Sequence, residues 1–159
     1  RSLGHKSAGE DRDYTATFET TYEAGELVAV SYDRGAETGR CVLKTAAEAV
    51  ELAAEADRTT LRSNAQDLAF ITVKLVDADG TENLFAKKRV TVNVAGAGTL
   101  QGFGNADPQS VGSYDDVTWE TYNGYLLAAI RSGNAPGQIR VTFSAEGCKE
   151  KTVILNVAE

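Results

Sequence analysis

Apolar residues recur at every second position in segment after segment of this chain. In Leu68–Val76, Ile71, Val73 and Leu75 fall on one side, while Thr72 and Lys74 fall on the other. Only an extended strand, whose successive side chains point to opposite faces, turns that spacing into one apolar surface. Arg89–Val94, Gln138–Ser144 and Thr152–Val157 repeat the pattern. Tyr125–Arg131 is a continuous apolar run, as expected of a central strand. Turn formers separate these runs: Asp33-Arg34-Gly35, Asp77-Ala78-Asp79-Gly80 and Ala135-Pro136-Gly137. Alternation broken at short intervals by such turns specifies an all-β fold of antiparallel strands.

The strands group unevenly. About seven fall in the stretch after residue 49, counting the short glycine-rich Gly98–Gly104, which fits one immunoglobulin-like sandwich. Its expected core is Phe70, Val73, Leu75, Val92, Val94, Leu127, Ile130, Val141, Phe143, Val153 and Leu155. Residues 1–45 hold about four more, among them Tyr14–Thr21, Gly25–Tyr32 and Arg40–Thr45, too few for a sandwich. Two immunoglobulin-like domains in tandem are therefore expected: a partial one at 1–46 and a complete one at 47–159. Arg1 at the start and the absence of Met add the expectation of a fragment whose first domain is truncated. Residues 46–57, rich in Ala and Glu, have the composition of a helix, but the β surroundings favour a strand.

Composition narrows the partners. Hydrophobic residues make up 42% and charged residues 25%, so the chain has enough apolar material to build a core. The net charge is −7, and the longest basic cluster is Lys87-Lys88-Arg89. Nucleic acids and anionic membrane surfaces, which are bound by neutralising phosphates, are disfavoured. There is no apolar run near 18 residues and no apolar stretch in Arg1–Gly9 of the kind a signal peptide needs. Cys41 and Cys148 match no zinc spacing and read as isolated thiols. The alternative is a disulfide, which would need their Cα atoms within about 7 Å.

Groups able to do chemistry are sparse. His5 is the only histidine and sits in a polar start. There is no HExxH and no CxxC. Gly96–Gly104 fails the dinucleotide pattern and reads as bends and a bulge at a sheet edge. Asp77, Asp79 and Glu82 faintly suggest a calcium loop, but Gly80 comes too early, and a hairpin turn accounts for them better. Carboxylates are abundant, yet no two are marked as a glycosidase pair, so no catalytic, metal or cofactor residue is nominated. The candidate binding feature is the polar loop 105–121. Its Asn105, Asp107 and Trp119, with Tyr122 just beyond it and Tyr125 nearby, could meet a sugar ring and its hydroxyls.

Several of these segments, in order, resemble the C-terminal domains of bacterial glycoside hydrolase family 2 enzymes. Ser2-Leu3-Gly4 resembles "NGKSLG", and Tyr22–Asp33 resembles "YEPGELKAVAYD" with Ala24 in place of Pro. Ala56–Leu61 and Gln66–Val73 are similar to "ADRTTI" and "GQDLSFVTV". Gly104–Pro108 resembles "GNGDP" with Ala106 in place of Gly, and Tyr122–Ile130 resembles "AFNGKCLAIVQ". The resemblance implies an accessory region of a β-galactosidase-like enzyme whose two catalytic glutamates lie in a (β/α)₈ barrel outside this chain. It implies the rest of that enzyme as partner, no cofactor, and a structural or spacer role. A carbohydrate-binding module and a surface adhesin domain are the competing readings. The compartment is left open.

Overall fold

A computed structural model describes residues Arg1–Glu159, which divide into two compact units, Arg1–Lys44 and Thr45–Glu159.

In the first unit a 3₁₀ turn, Glu10–Arg12, precedes a hairpin of β1 (Glu26–Asp33) and β2 (Ala36–Lys44). Arg34 and Gly35 both adopt positive φ, 49° and 84°, as a two-residue hairpin loop requires. Facing residues share a side of the sheet. Leu27/Leu43, Ala29/Cys41 and Ser31/Gly39 give one face that carries no charge before Asp33 at the turn. The other carries the Glu26–Lys44 ion pair (3.0 Å) and Arg40. Leu27 and Leu43 are 50% and 62% exposed. The expected strand at Tyr14–Thr21 is absent. Strands exist only by pairing, and the unit's one ladder is taken up by β1 and β2. Residues 1–45 thus hold two strands, not about four.

The second unit is a sandwich. One sheet has the order β3-β5-β9-β7, from Glu51–Ala56, Leu68–Val76, Tyr125–Ser132 and Gly98–Gly104. The other has the order β4-β11-β10-β6-β8, from Thr60–Arg62, Lys151–Ala158, Gly137–Ala145, Arg89–Gly96 and Thr118–Glu120. With β4 and β8 set aside and the rest lettered A to G along the chain, the sheet orders β3-β5-β9-β7 and β6-β10-β11 are the ABED and CFG sheets of an immunoglobulin-type sandwich. Two short strands extend it: β4 runs parallel to β11, and β8 pairs with β6. The ambiguous stretch contains strand β3, and β9 is central, between β5 and β7. The expected edge bulge lies in β7, at Leu100/Gly102.

The core fills the space between the sheets. Ile71, Val73, Leu75, Phe103, Leu126, Ala128 and Ile130 come from one side and Val90, Val92, Ile139, Val141, Phe143 and Leu155 from the other. Phe103 and Phe143 meet across the layer with ring centroids 6.1 Å apart. Two expected core residues lie outside it: Phe70 is 41% exposed and Leu127 47%. The reason is parity. Phe70 shares a side of β5 with Thr72 and Lys74, and Leu127 opposes Thr72 in β9. The inward residues there are Ile71 and Leu126, both at most 2% exposed.

Candidate functional site

An open groove of about 540 Å³ lies on the outward face of the four-stranded sheet. Thr72, Leu127, Ala129 and Gly102 lie along it, from the adjacent strands β5, β9 and β7. Gly102 lacks a side chain and Ala129 has only a methyl, so the surface stays low there. Tyr114 and Tyr125 also line it, with Asn105 and Ala106 from the loop after β7.

The aromatic side is layered. Trp119, in β8, is only 7% exposed, and the Tyr114 ring stacks on it at 5.7 Å and 15°. The stack has room because Gly104 and Gly112 lack side chains. A Cβ at Gly104 would come within 2.4 Å of the Tyr114 ring, and one at Gly112 within 2.6 Å of the Trp119 ring. Tyr114 itself is 62% exposed. Its main chain is pinned by the Phe103 N–H, which donates to the Tyr114 carbonyl (2.8 Å).

The four candidate residues separate. Trp119 was expected in a loop, but the 105–121 segment contains strand β8, which places its ring in the core. Asn105 lines the groove; its amide donates to the Glu120 carbonyl (2.8 Å) and its oxygen accepts the Asp107 N–H (3.0 Å). Asp107 accepts the Gln109 N–H (2.9 Å), turning the loop back on itself. Tyr122 and Tyr125 flank Asn123-Gly124, whose φ values of 49° and 77° make a two-residue hairpin turn. Tyr125 lines the groove; Tyr122 does not. Tyr114 was not among the expected site residues, although it is an aromatic residue in the polar loop that follows the glycine-rich run 96–104. Asn123-Gly124, like Asp79-Gly80 a strong short hairpin signal, was not marked as a turn either.

A charged cluster stands beside Tyr125. Lys74 Nζ is 2.8 Å from Glu82 Oε1, and the Tyr125 hydroxyl donates to Glu82 Oε2. The Lys74 ammonium also lies 5.6 Å from the Tyr125 ring centroid. Lys74, and then Tyr125, hold the Glu82 carboxyl below its ordinary range. Glu82 in turn raises the Lys74 ammonium and the Tyr125 phenol. These groups are spent on one another, which suits a fixed rim better than proton transfer. Asp77 accepts the N–H groups of Ala47, Asp79 and Thr81, so its oxygens serve the turn and the preceding segment. No three His, Cys, Asp or Glu side chains are grouped to hold a metal ion. His5 is exposed, and both cysteines are free thiols. No helix is long and apolar enough to cross a membrane.

Comparison with known proteins places these features in context. Residues 52–154 match the model of glycoside hydrolase family 2 C-terminal domain 5, and residues 1–39 match a domain of unknown function (DUF4982). The whole chain is 25% identical to 19% of the β-galactosidase BoGH2A of Bacteroides ovatus. A glycosyl hydrolase family 2 member from Bacteroides cellulosilyticus superposes with a TM-score of 0.93 at 32% identity, over 99% of this chain and 20% of that one. A family 2 structure from Bacteroides cellulosilyticus DSM 14838 gives 0.90 at 33%, over 96% and 21%. The chain spans about a fifth of the length of these relatives.

Proposed function

The chain belongs to the glycoside hydrolase family 2 C-terminal domain 5 family, and on that premise we propose that it is a non-catalytic accessory region of a β-galactosidase-like enzyme. The parent enzyme would hydrolyse terminal β-galactosides, and these units would support or space its catalytic part. The observation that carries the reading is the state of the charged groups. A retaining glycosidase needs two carboxylates about 5–5.5 Å apart across a cleft, one of them free to give a proton. Here Glu82, the carboxylate bonded to the groove residue Tyr125, is held ionised by Lys74 and Tyr125. The match to a fifth of a β-galactosidase supports the same reading.

The rest of the enzyme is the natural partner. In the first unit, the uncharged face of Leu27, Leu43, Ala29 and Cys41 stands open on a two-stranded sheet, an arrangement of marginal stability alone. We read residues 1–46 as part of an immunoglobulin-like domain that this face completes, and 47–159 as a whole one. The test is activity. The chain alone should give no turnover of a chromogenic β-galactoside, whereas the longer enzyme should. Turnover by the chain alone would overturn the reading.

A second reading, carbohydrate binding, is favoured by one observation: Tyr114 presents an exposed aromatic ring beside Asn105 along an open groove. Titration with galactosides or galactans decides it. Binding that is lost in Tyr114→Ala supports it, and an unchanged response in that variant removes the groove from consideration.

A further inference from the structure

Residues 45–50, which lead into β3, form no ladder of their own, yet they are held from two sides. The Ala47 N–H donates to Asp77 Oδ2 (2.9 Å) and the Ala47 carbonyl accepts from Asn83 Nδ2 (3.2 Å). Three residues on, the Cys148 thiol donates to the Val50 carbonyl (3.4 Å).

Both gripping side chains do two jobs. Asp77, 6% exposed, uses Oδ1 to accept the N–H groups of Asp79 (3.0 Å) and Thr81 (2.8 Å), which closes the turn after β5. Asn83 uses Oδ1 to accept the N–H groups of Phe85 (3.2 Å) and Ala86 (2.9 Å). The Asn83 main chain is itself fixed, since its N–H donates to the Leu75 carbonyl (2.9 Å). A side chain that caps its own turn needs only the local bonds. The reach to Ala47, 30 residues before Asp77 and 36 before Asn83, has no part in turn formation.

We infer that Asp77 and Asn83 form a two-point clamp on the Ala47 peptide, which sets where the polypeptide joins the sandwich and so keeps β3 in register. The segment is a held strap. The strap matters because β3 is an edge strand, hydrogen-bonded only to β5. An edge strand with a free leading segment frays from that end. With the clamp closed, Glu51 begins the ladder opposite Val76, one residue before Asp77, so clamp and ladder start share one fixed point.

Amide hydrogen exchange on the full chain tests the inference. Asn83→Ala removes one contact and Asp77→Ala the other. In either variant the amide of Ala47 and the ladder-bonded amides of Glu51–Ala56 should exchange several-fold faster, up to about tenfold, as expected for the loss of one hydrogen bond. The amides of β9, deep in the same sheet, should keep their rates. Ala47→Pro approaches from the opposite side, deleting the N–H while leaving both clamping side chains in place, and should accelerate Glu51–Ala56 alike. If Asp77→Ala fails to fold, Asn83→Ala and Ala47→Pro decide the matter. Faster exchange confined to residues 77–86, with Ala47 and β3 unchanged, would reduce both residues to turn formers and overturn the clamp.

Discussion

Leu126 and Leu127 are adjacent, chemically identical and on opposite sides of β9, so the same truncation at each isolates the effect of burial. Leu126 is 2% exposed and opposes Val73 in the core; Leu127 is 47% exposed and opposes Thr72 on the groove side. Leu→Ala removes three carbons, roughly 2.4 kcal/mol of transfer free energy at about 0.8 per carbon when fully buried. At Leu126 a cavity adds to this, for a total of about 3–4 kcal/mol. At Leu127 about half the transfer contribution applies and no enclosed cavity forms, which leaves about 1 kcal/mol. A unit of this length shifts its Tm by roughly 4 °C per kcal/mol. Leu126→Ala should therefore lower the calorimetric Tm by about 12–16 °C and Leu127→Ala by about 4 °C. Urea titration should rank the two alike, with similar m-values. Equal losses at the two positions, or a larger one at Leu127, would refute the assignment of faces and the burial argument with it.

Other consequences can be measured on the same chain. Gly124→Ala places a Cβ 2.5 Å from the Asn83 carbonyl oxygen on a residue at φ 77°. Its urea midpoint should fall by the equivalent of about 1–3 kcal/mol, and a neutral result would contradict the turn. Trp119 is the only tryptophan, so Tyr114→Ala should move its fluorescence to longer wavelength as the covering ring is lost; an unmoved spectrum argues against the stack. Backbone N–H donors, the Ala47 N–H foremost, hold the Asp77 carboxyl below its ordinary range. A depressed folded-state value gives stability that is full above the unfolded carboxylate range, near pH 4, and is lost as pH falls through the folded value. Asp77→Asn should accordingly flatten the loss of stability below about pH 4. At the other extreme, Glu82 raises Lys74 and Tyr125, so their contribution is full below about pH 10 and fades as pH climbs through the folded values. Glu82→Gln should remove that alkaline slope, and a persistent slope would count against the cluster.

Much of the sandwich was legible in order along the chain. Alternation in β5, β6, β10 and β11 set strand identity and faces, because a period of two has one meaning in an extended backbone. It even contained the correction for Leu127: once Ile130 points inward, so must Leu126. The Ala- and Glu-rich β3 was harder, since its helix-like composition yields to pairing with β5, a contact made across intervening sequence. The candidate site was legible only in part. Asn105 reached the groove, but Trp119 did not remain free for a ligand, because β8 pairs with β6 and turns the indole inward beneath Tyr114.

By itself the sequence determined the fold class, the long strands of the sandwich other than the ambiguous β3, and the family, since each rests on local alternation, turn chemistry or motif order. Tertiary structure decided which aromatic faces the solvent, which charged groups neutralise each other, and that Asp77 and Asn83 grip Ala47. Those outcomes depend on how two sheets and their loops meet across long sequence separations, where a shift of one residue in register exchanges the inside of a strand for its outside.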